Sequence, residues 1–188
     1  MVSVLVPIAD GTEEIEVVTI IDTLRRAGAD VTVASVMSRR QIEASRGVQI
    51  VADRLLEECV SEQYDCIVLA GGKGGAENFS RTSALIEMLQ KQKESGRLYA
   101  AICASPALVL QPHGLLEDKL ATCFPSFEEK LQNREATGRR VVEDDNCVTS
   151  QGPGTAMEFA LKLVELLYGK EKQQKIADAL LAPVAVSH

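Results

Sequence analysis

Histidine is nearly absent from this chain: only His113 and His188 occur in 188 residues, and His188 is the last of them. His113 lies ten positions past Cys103, beyond the helix predicted to follow it, which argues against a Cys–His catalytic pair of the papain kind. Two scattered histidines and five scattered cysteines offer no zinc-ligand spacing. No two cysteines form C-x-x-C, and their odd number points to free thiols in a reducing, intracellular compartment. The glycine run Gly71-Gly-Lys-Gly-Gly75 lacks both phosphate-binding fingerprints, which excludes a dinucleotide or ATP site. Basic residues cluster only as the pairs Arg25–Arg26 and Arg39–Arg40, and the formal charge is −7; nucleic acid and anionic membranes are excluded as partners. No apolar run approaches transmembrane length. The N-terminus enters a strand without a basic leader or signal-like segment, so a cytoplasmic location is expected. Repeats and low-complexity segments are also missing.

What is present alternates between strands and helices. Val2–Ala9 reads as a buried strand, Asp10–Gly11 as a turn, and Thr12 as the cap of a helix running to Ala27, with Gly28 as its stop. Ile15, Val18, Ile21 and Leu24 are its expected apolar face, and Glu13, Glu14 and Glu16 fill its first turn. Asp30–Val36 is the next strand. Strand, helix, strand at this spacing is a βαβ unit and implies a parallel sheet. Residues 39–42 and 47–51 read as two short strands around Ala44–Arg46. Asp65–Ala70 is a central strand, Gly71–Gly75 a turn, Ser83–Glu94 a helix, and Leu98–Ile102 another strand. Lys119–Cys123 reads as a short strand. Arg139–Glu143 and Cys147–Thr149 read as an antiparallel edge pair. Gln151–Gly154 is a turn, and Thr155 with Glu158 forms a capping box for a helix to Leu167. Lys170–Leu181 is the last helix, followed by an apolar tail, Ala182–Val186, suited to covering a neighbour. The whole chain, residues 1–188, is expected to form one α/β domain: a mostly parallel sheet between helices.

Leu98–Pro106 (L-Y-A-A-I-C-A-S-P) is the stretch with chemistry in it. An apolar strand ends abruptly at Cys103, and the small Ala101 and Ser105 flank it, as a sharp strand-to-helix turn requires. Such a corner aims the first N–H groups of the helix at the side chain, which favours thiolate over thiol. In α/β sheets working groups gather beyond the carboxyl ends of the strands. Four turns reach that edge: Asp10–Glu16, Gly71–Gly75, Cys103–Ser105 and Gln151–Thr155. The N–H groups of Gly72 and Ala104 are candidate oxyanion donors. Of the first-turn carboxylates, Glu16 falls in register with Ile15 and Thr19, closer to the buried side than Glu13 does. A glutamate held near a thiolate in apolar surroundings has a raised pKa and can exchange a proton.

These segments together resemble one family. G-T-E-E-I-E (Gly11–Glu16), A-S-R-G-V (Ala44–Val48), L-A-G-G (Leu69–Gly72), A-A-I-C-A-S-P (Ala100–Pro106) and T-S-Q-G-P-G-T-A-M-E-F-A (Thr149–Ala160) are similar to the ThiJ/PfpI superfamily, in its Parkinsonism-associated deglycase branch with bacterial redox-chaperone relatives. The resemblance implies a flavodoxin-like three-layer sandwich and a homodimer. It also implies that Cys103 is a reactive, easily oxidised nucleophile, that Glu16 is the protonated partner bonded to it, and that Gly72 is an oxyanion glycine. Arg46 matches an arginine reaching across the dimer interface, and Gly71, Phe124, Gly152 and Pro153 match the walls of the site. Phe124-Pro125 stands where some relatives carry a histidine before the proline, and Gln151 where animal relatives carry an arginine.

The implied activity is a glyoxalase or deglycase that needs no metal, glutathione or nucleotide. It would convert methylglyoxal or glyoxal to lactate or glycolate and act on early glycation adducts. The alternative is a non-enzymatic oxidative-stress sensor or redox-regulated chaperone in which oxidation of Cys103 is the signal. A protease lacks a competent base near Cys103.

Overall fold

The computed structural model describes residues 1–184. Strands β1 (Ser3–Ile8), β2 (Asp30–Ser35), β5 (Arg54–Leu55), β6 (Cys66–Leu69), β7 (Leu98–Ile102), β8 (Val141–Asp144) and β9 (Cys147–Ser150) form one sheet in the order β5-β2-β1-β6-β7-β9-β8. Every pairing in it is parallel except β8 with β9 at the edge. The short β3 (Gln41–Glu43) and β4 (Gln49–Val51) form a separate antiparallel hairpin. The run β2-β1-β6-β7-β9 is the flavodoxin-like order, with its switch point between β1 and β6. Helices α1 (Glu14–Ala27), α4 (Ala156–Tyr168) and α5 (Lys170–Ala179) pack on one another on one side. Helices α2 (Lys73–Ser80) and α3 (Ser83–Ser95) cover the other. The expected three-layer α/β sandwich is the observed one.

The central strands read as continuous apolar runs because both their faces are covered. Residues 4–6 and 66–69 are wholly buried, as a parallel sheet between helix layers requires.

Several local expectations are corrected. Helix α1 is capped by the Glu13 carboxylate, which accepts from the Glu16 N–H at 2.8 Å; Thr12 Oγ1 instead accepts from the Ala9 N–H. Its buried stripe is Glu16, Val17, Ile20, Thr23, Leu24 and Ala27, while Ile15 and Val18 face solvent. The glycine run is not a free turn: α2 starts inside it at Lys73. Gly11 (φ +84°) lies against it so closely that a Cβ would come within 2.9 Å of Gly74 Cα. Lys119–Cys123 is extended but joins no ladder, because side chains take its amides. Leu120 N–H donates to Asp144 Oδ2 and Thr122 N–H to Thr149 Oγ1. The capping box at Thr155 does not form; Thr155 Oγ1 bonds to Gly152 and Ser150, and Glu158 pairs with Arg140. Of the apolar tail, Ala182 and Val184 pack against the chain's own core, and Ala185 and Val186 lie outside the described residues.

Asn146, expected only to turn the edge hairpin, ties it to α3. Its buried amide donates to the carbonyls of Gln92, Lys93 and Arg97 at 3.2, 3.3 and 2.9 Å. Gln92 and Lys93 lie in the last turn of α3 and Arg97 just past its Gly96 cap, where helical donors run out. Asn146→Ala strands buried acceptors and should lower unfolding free energy by about 1–3 kcal/mol in urea denaturation, with thiol reactivity at Cys103 unchanged.

Candidate active site

Strand β7 ends at Ile102, and Cys103 turns the chain with φ +65°, a left-handed conformation that costs a residue with a Cβ roughly 1–2 kcal/mol. Hydrogen bonds on both sides hold it there. Cys103 N–H donates to Ser150 O at 3.0 Å, and Phe124 N–H donates to Cys103 O at 2.8 Å. Ser105, small as the corner requires, is buried and its hydroxyl donates to Ala70 O at 2.6 Å, tying the elbow to the end of β6. The segment beyond, Pro106–Leu110, is a π-helical turn rather than a regular α-helix. The Cys103 side chain is almost buried, with the residue only 8% exposed.

Glu16 reaches this corner from the first turn of α1 and is fully buried. Its Oε2 accepts the Gly71 N–H at 2.6 Å, and its Oε1 has no hydrogen-bond partner. Gly71 is where the two side chains meet. A Cβ there would sit 2.4 Å from Cys103 Cβ and 2.9 Å from Glu16 Oε2, so only glycine fits. Burial raises the Glu16 carboxyl to about 7, against the pull of the Gly71 N–H and the Cys103 thiol. Burial also pushes the Cys103 thiol up to about 12, reinforced by the charge of an ionised Glu16; the Gly72 and Ala104 N–H groups oppose both. The corner therefore does not produce a thiolate by helix-end potential alone, because desolvation outweighs it. Both groups therefore hold their protons more tightly than they would in water.

A cleft of about 520 Å³ opens above the sulfur. Cys103 and Ala104 belong to its floor, with Gly72, Phe124, Pro153 and Arg46 around them. Gly72 has φ +81°, and a Cβ on it would come within 2.1 Å of Gly11 O. Gly152 backs the wall, where a Cβ would come within 3.3 Å of the Phe124 ring. Glu14 holds the Arg46 loop to α1, accepting from Ser45 Oγ at 2.7 Å and from Arg46 N–H at 2.8 Å. A cysteine, a buried proton-holding carboxyl and two converging N–H groups can add a thiolate to a carbonyl and hold the oxyanion. Among the described residues no three His, Cys, Asp or Glu side chains are grouped as metal ligands, and no helix is long and apolar enough to cross a membrane. All five cysteines are buried free thiols.

Residues 2–166 match the DJ-1/PfpI family. This chain belongs to that family. It is 53% identical over 178 residues to the protein DJ-1 homolog B of Arabidopsis thaliana, covering 95% of this chain and 41% of that one. The chain thus spans less than half the length of that relative. It is 36% identical over 186 residues to the glutathione-independent glyoxalase DJR-1.2 of Caenorhabditis elegans, covering 98% of this chain and 95% of the relative. Among solved structures, oxidized DJ-1 of Toxoplasma gondii superposes with a TM-score of 0.94 at 51% identity, over 97% of this chain and 99% of that one.

In this DJ-1/PfpI chain all four turns expected at the carboxyl edge meet at one place. Cys103, Gly72, Ala104, Arg46, Phe124 and Pro153 line the cleft directly, while Glu16, Gly71 and Gly152 support it from behind. Sequence reasoning missed Lys73, Ser45, Ser126 and Phe127 on the lining. For Lys73 a signal existed: it is the only charged residue in the glycine run.

Glu16 has a folded pKa raised from its ordinary 4.5 to about 7, so the folded state binds its proton more tightly than the unfolded one. That stabilisation is full below the unfolded value and is lost as pH rises through the folded value. Between these limits the wild type should lose roughly 3 kcal/mol relative to Glu16→Gln, measured by denaturation at stepped pH. A stability difference that stays flat with pH would contradict the raised value.

Proposed function

We propose that this chain is a cofactor-independent glyoxalase acting on small 2-oxoaldehydes, with Cys103 as nucleophile and Glu16 as proton carrier. The observation that supports it is the buried Glu16 carboxyl, one oxygen held by Gly71 and the other unpartnered, beside a cysteine at the floor of an open cleft. The glutathione-independent glyoxalase of Caenorhabditis elegans, 36% identical to this chain, supports this reading.

The thiolate adds to the aldehyde carbon of methylglyoxal, and the carbonyl pair moves to oxygen, facing the Gly72 and Ala104 N–H groups. Glu16 gives that oxygen its proton and becomes a carboxylate. As a base it takes the proton from the former aldehyde carbon and returns it to the neighbouring carbon, while the hydroxyl proton on the first carbon's oxygen passes to the former ketone oxygen, converting the hemithioacetal through an enediol to a thioester. Water then cleaves the thioester, releasing lactate and the thiol. Glyoxal gives glycolate by the same steps. An early aminocarbinol adduct, attacked at the same carbon, would release its amine.

Methylglyoxal turnover without glutathione or metal should fall to the no-protein level in Cys103→Ala. In Glu16→Gln it should fall about 10²–10⁴-fold, followed as lactate. Lactate at background in the wild type would overturn the assignment. The oxidized Toxoplasma gondii relative favours a second reading, in which peroxide oxidation of Cys103 controls partner or client binding. That reading requires client protection that changes with the oxidation state while dicarbonyl turnover is negligible.

The working form is a homodimer built on the exposed side of α1. Ile15 is 57% and Val51 66% exposed, with Val18 and Val48 exposed beside them on α1 and on the hairpin that Glu14 holds to it. Apolar residues placed opposite a helix's buried stripe need a cover. Sedimentation should show a dimer that Val51→Asp converts to monomer; a wild-type monomer at micromolar concentration would refute it.

A further inference from the structure

Lys73 stands at the cleft mouth and has no part in the chemistry above. It is the first residue of α2, exposed, and directly follows Gly72. It lines the same cleft as Cys103 and Ala104, as does the exposed Arg46. Among the described residues neither cation forms an ion pair with a carboxylate. The one carboxylate on the lining, Glu13, is engaged by the Glu16 N–H as the cap of α1. The lining therefore carries two cations, Lys73 and Arg46, and one carboxylate, Glu13, with Glu14 bonded to the Arg46 N–H behind it, on a chain whose formal charge is −7. Phe124, Phe127 and Pro153 make much of the remaining wall apolar, which reduces solvent screening over the opening.

We infer that Lys73 is a specificity-determining residue that directs this site toward 2-oxoaldehydes carrying an anionic group on the third carbon. With the aldehyde held at Cys103 on the floor, a substituent two carbons away points toward the rim, where Lys73 and Arg46 stand. A phosphate ester or a carboxylate there satisfies both cations; the methyl group of methylglyoxal satisfies neither. The reaction balances as before. In the phosphate ester of hydroxypyruvaldehyde the aldehyde carbon is oxidised, the adjacent ketone is reduced, and one water is added, leaving 3-phosphoglycerate with the phosphate ester untouched. This inference rests on the glyoxalase reading for its substrate and on the cleft's charge for its selectivity.

Two measurements separate those two foundations. The first compares kcat/KM for the hydroxypyruvaldehyde phosphate ester and for methylglyoxal at low ionic strength. The ratio of the two should fall about tenfold in Lys73→Gln, mainly through KM, and return in Lys73→Arg. It should also shrink as salt is raised toward 0.5 M. The second needs no turnover. Iodoacetate and iodoacetamide alkylate a thiolate by the same displacement, with sulfur forming the bond to carbon as iodide leaves with its electron pair; they are similar in size, one anionic and one neutral, and their intrinsic reactivity difference cancels when variants are compared. The ratio of their rates at Cys103, read by peptide mass spectrometry, should fall about five- to tenfold in Lys73→Gln and recover in Lys73→Arg. Absence of turnover on both aldehydes with a Lys73-dependent alkylation ratio would remove the glyoxalase reading and retain the anion-selective cleft. An alkylation ratio unchanged by Lys73→Gln would overturn the inference, whatever the turnover.

Discussion

One buried carboxyl organises the functional end of this protein. Glu16 is fully enclosed, bonded through Oε2 to the Gly71 N–H, and left without a partner at Oε1. An ionised carboxylate in that place is costly, so burial drives its pKa up toward neutrality and favours its protonated form. Its position depends on three glycines. Gly71 leaves space for both side chains, Gly72 lets the chain pass under Gly11 O, and Gly11 lies on the first turn of α2. Any Cβ at these points would push apart the loops that bring α1 and α2 onto the strand ends.

The elbow is a second constraint, and it opposes the first in part. Cys103 is held at positive φ by backbone bonds to β9 and to the Phe124 segment, and by Ser105 anchoring the turn to β6. That geometry places Gly72 and Ala104 N–H groups at the sulfur, which lowers the thiol's pKa, while burial and an ionised Glu16 raise it more strongly. The thiol is consequently not a freely ionised surface nucleophile. Its reactivity is coupled to where the Glu16 proton sits, which makes the two residues one unit rather than two independent groups.

The outer surfaces divide by the same physics. Helix α1 gives its Glu16 stripe to the interior and leaves Ile15 and Val18 outside, next to Val48 and Val51 of the hairpin. The hairpin in turn carries Arg46 into the lining of the cleft. Covering the apolar side of α1 and shaping the cleft mouth are therefore linked through Glu14, whose carboxylate holds Ser45 and the Arg46 amide.

The alternation of buried strands with helices, the parallel sheet and the elbow at Cys103 were legible from sequence, because continuous apolar runs, glycine stops and small corner residues act locally. That Glu16 lies inward of Glu13 was legible, although the face assumed for α1 was not, since Ile15 beside it faces solvent; the meeting of the four turns followed from the carboxyl ends of parallel strands. Tertiary structure decided what depends on distant partners. The capping of α1 passed to Glu13 because Thr12 Oγ1 accepts from Ala9, and Glu158 left its expected cap for Arg140. Lys119–Cys123 stayed outside the sheet because Asp144 and Thr149 side chains took its amides. The glycine run became the start of a helix because Gly11 and Thr12 press against it. The ionisation of Cys103 was also decided there, since a helix-end potential is a local property and desolvation belongs to the whole fold.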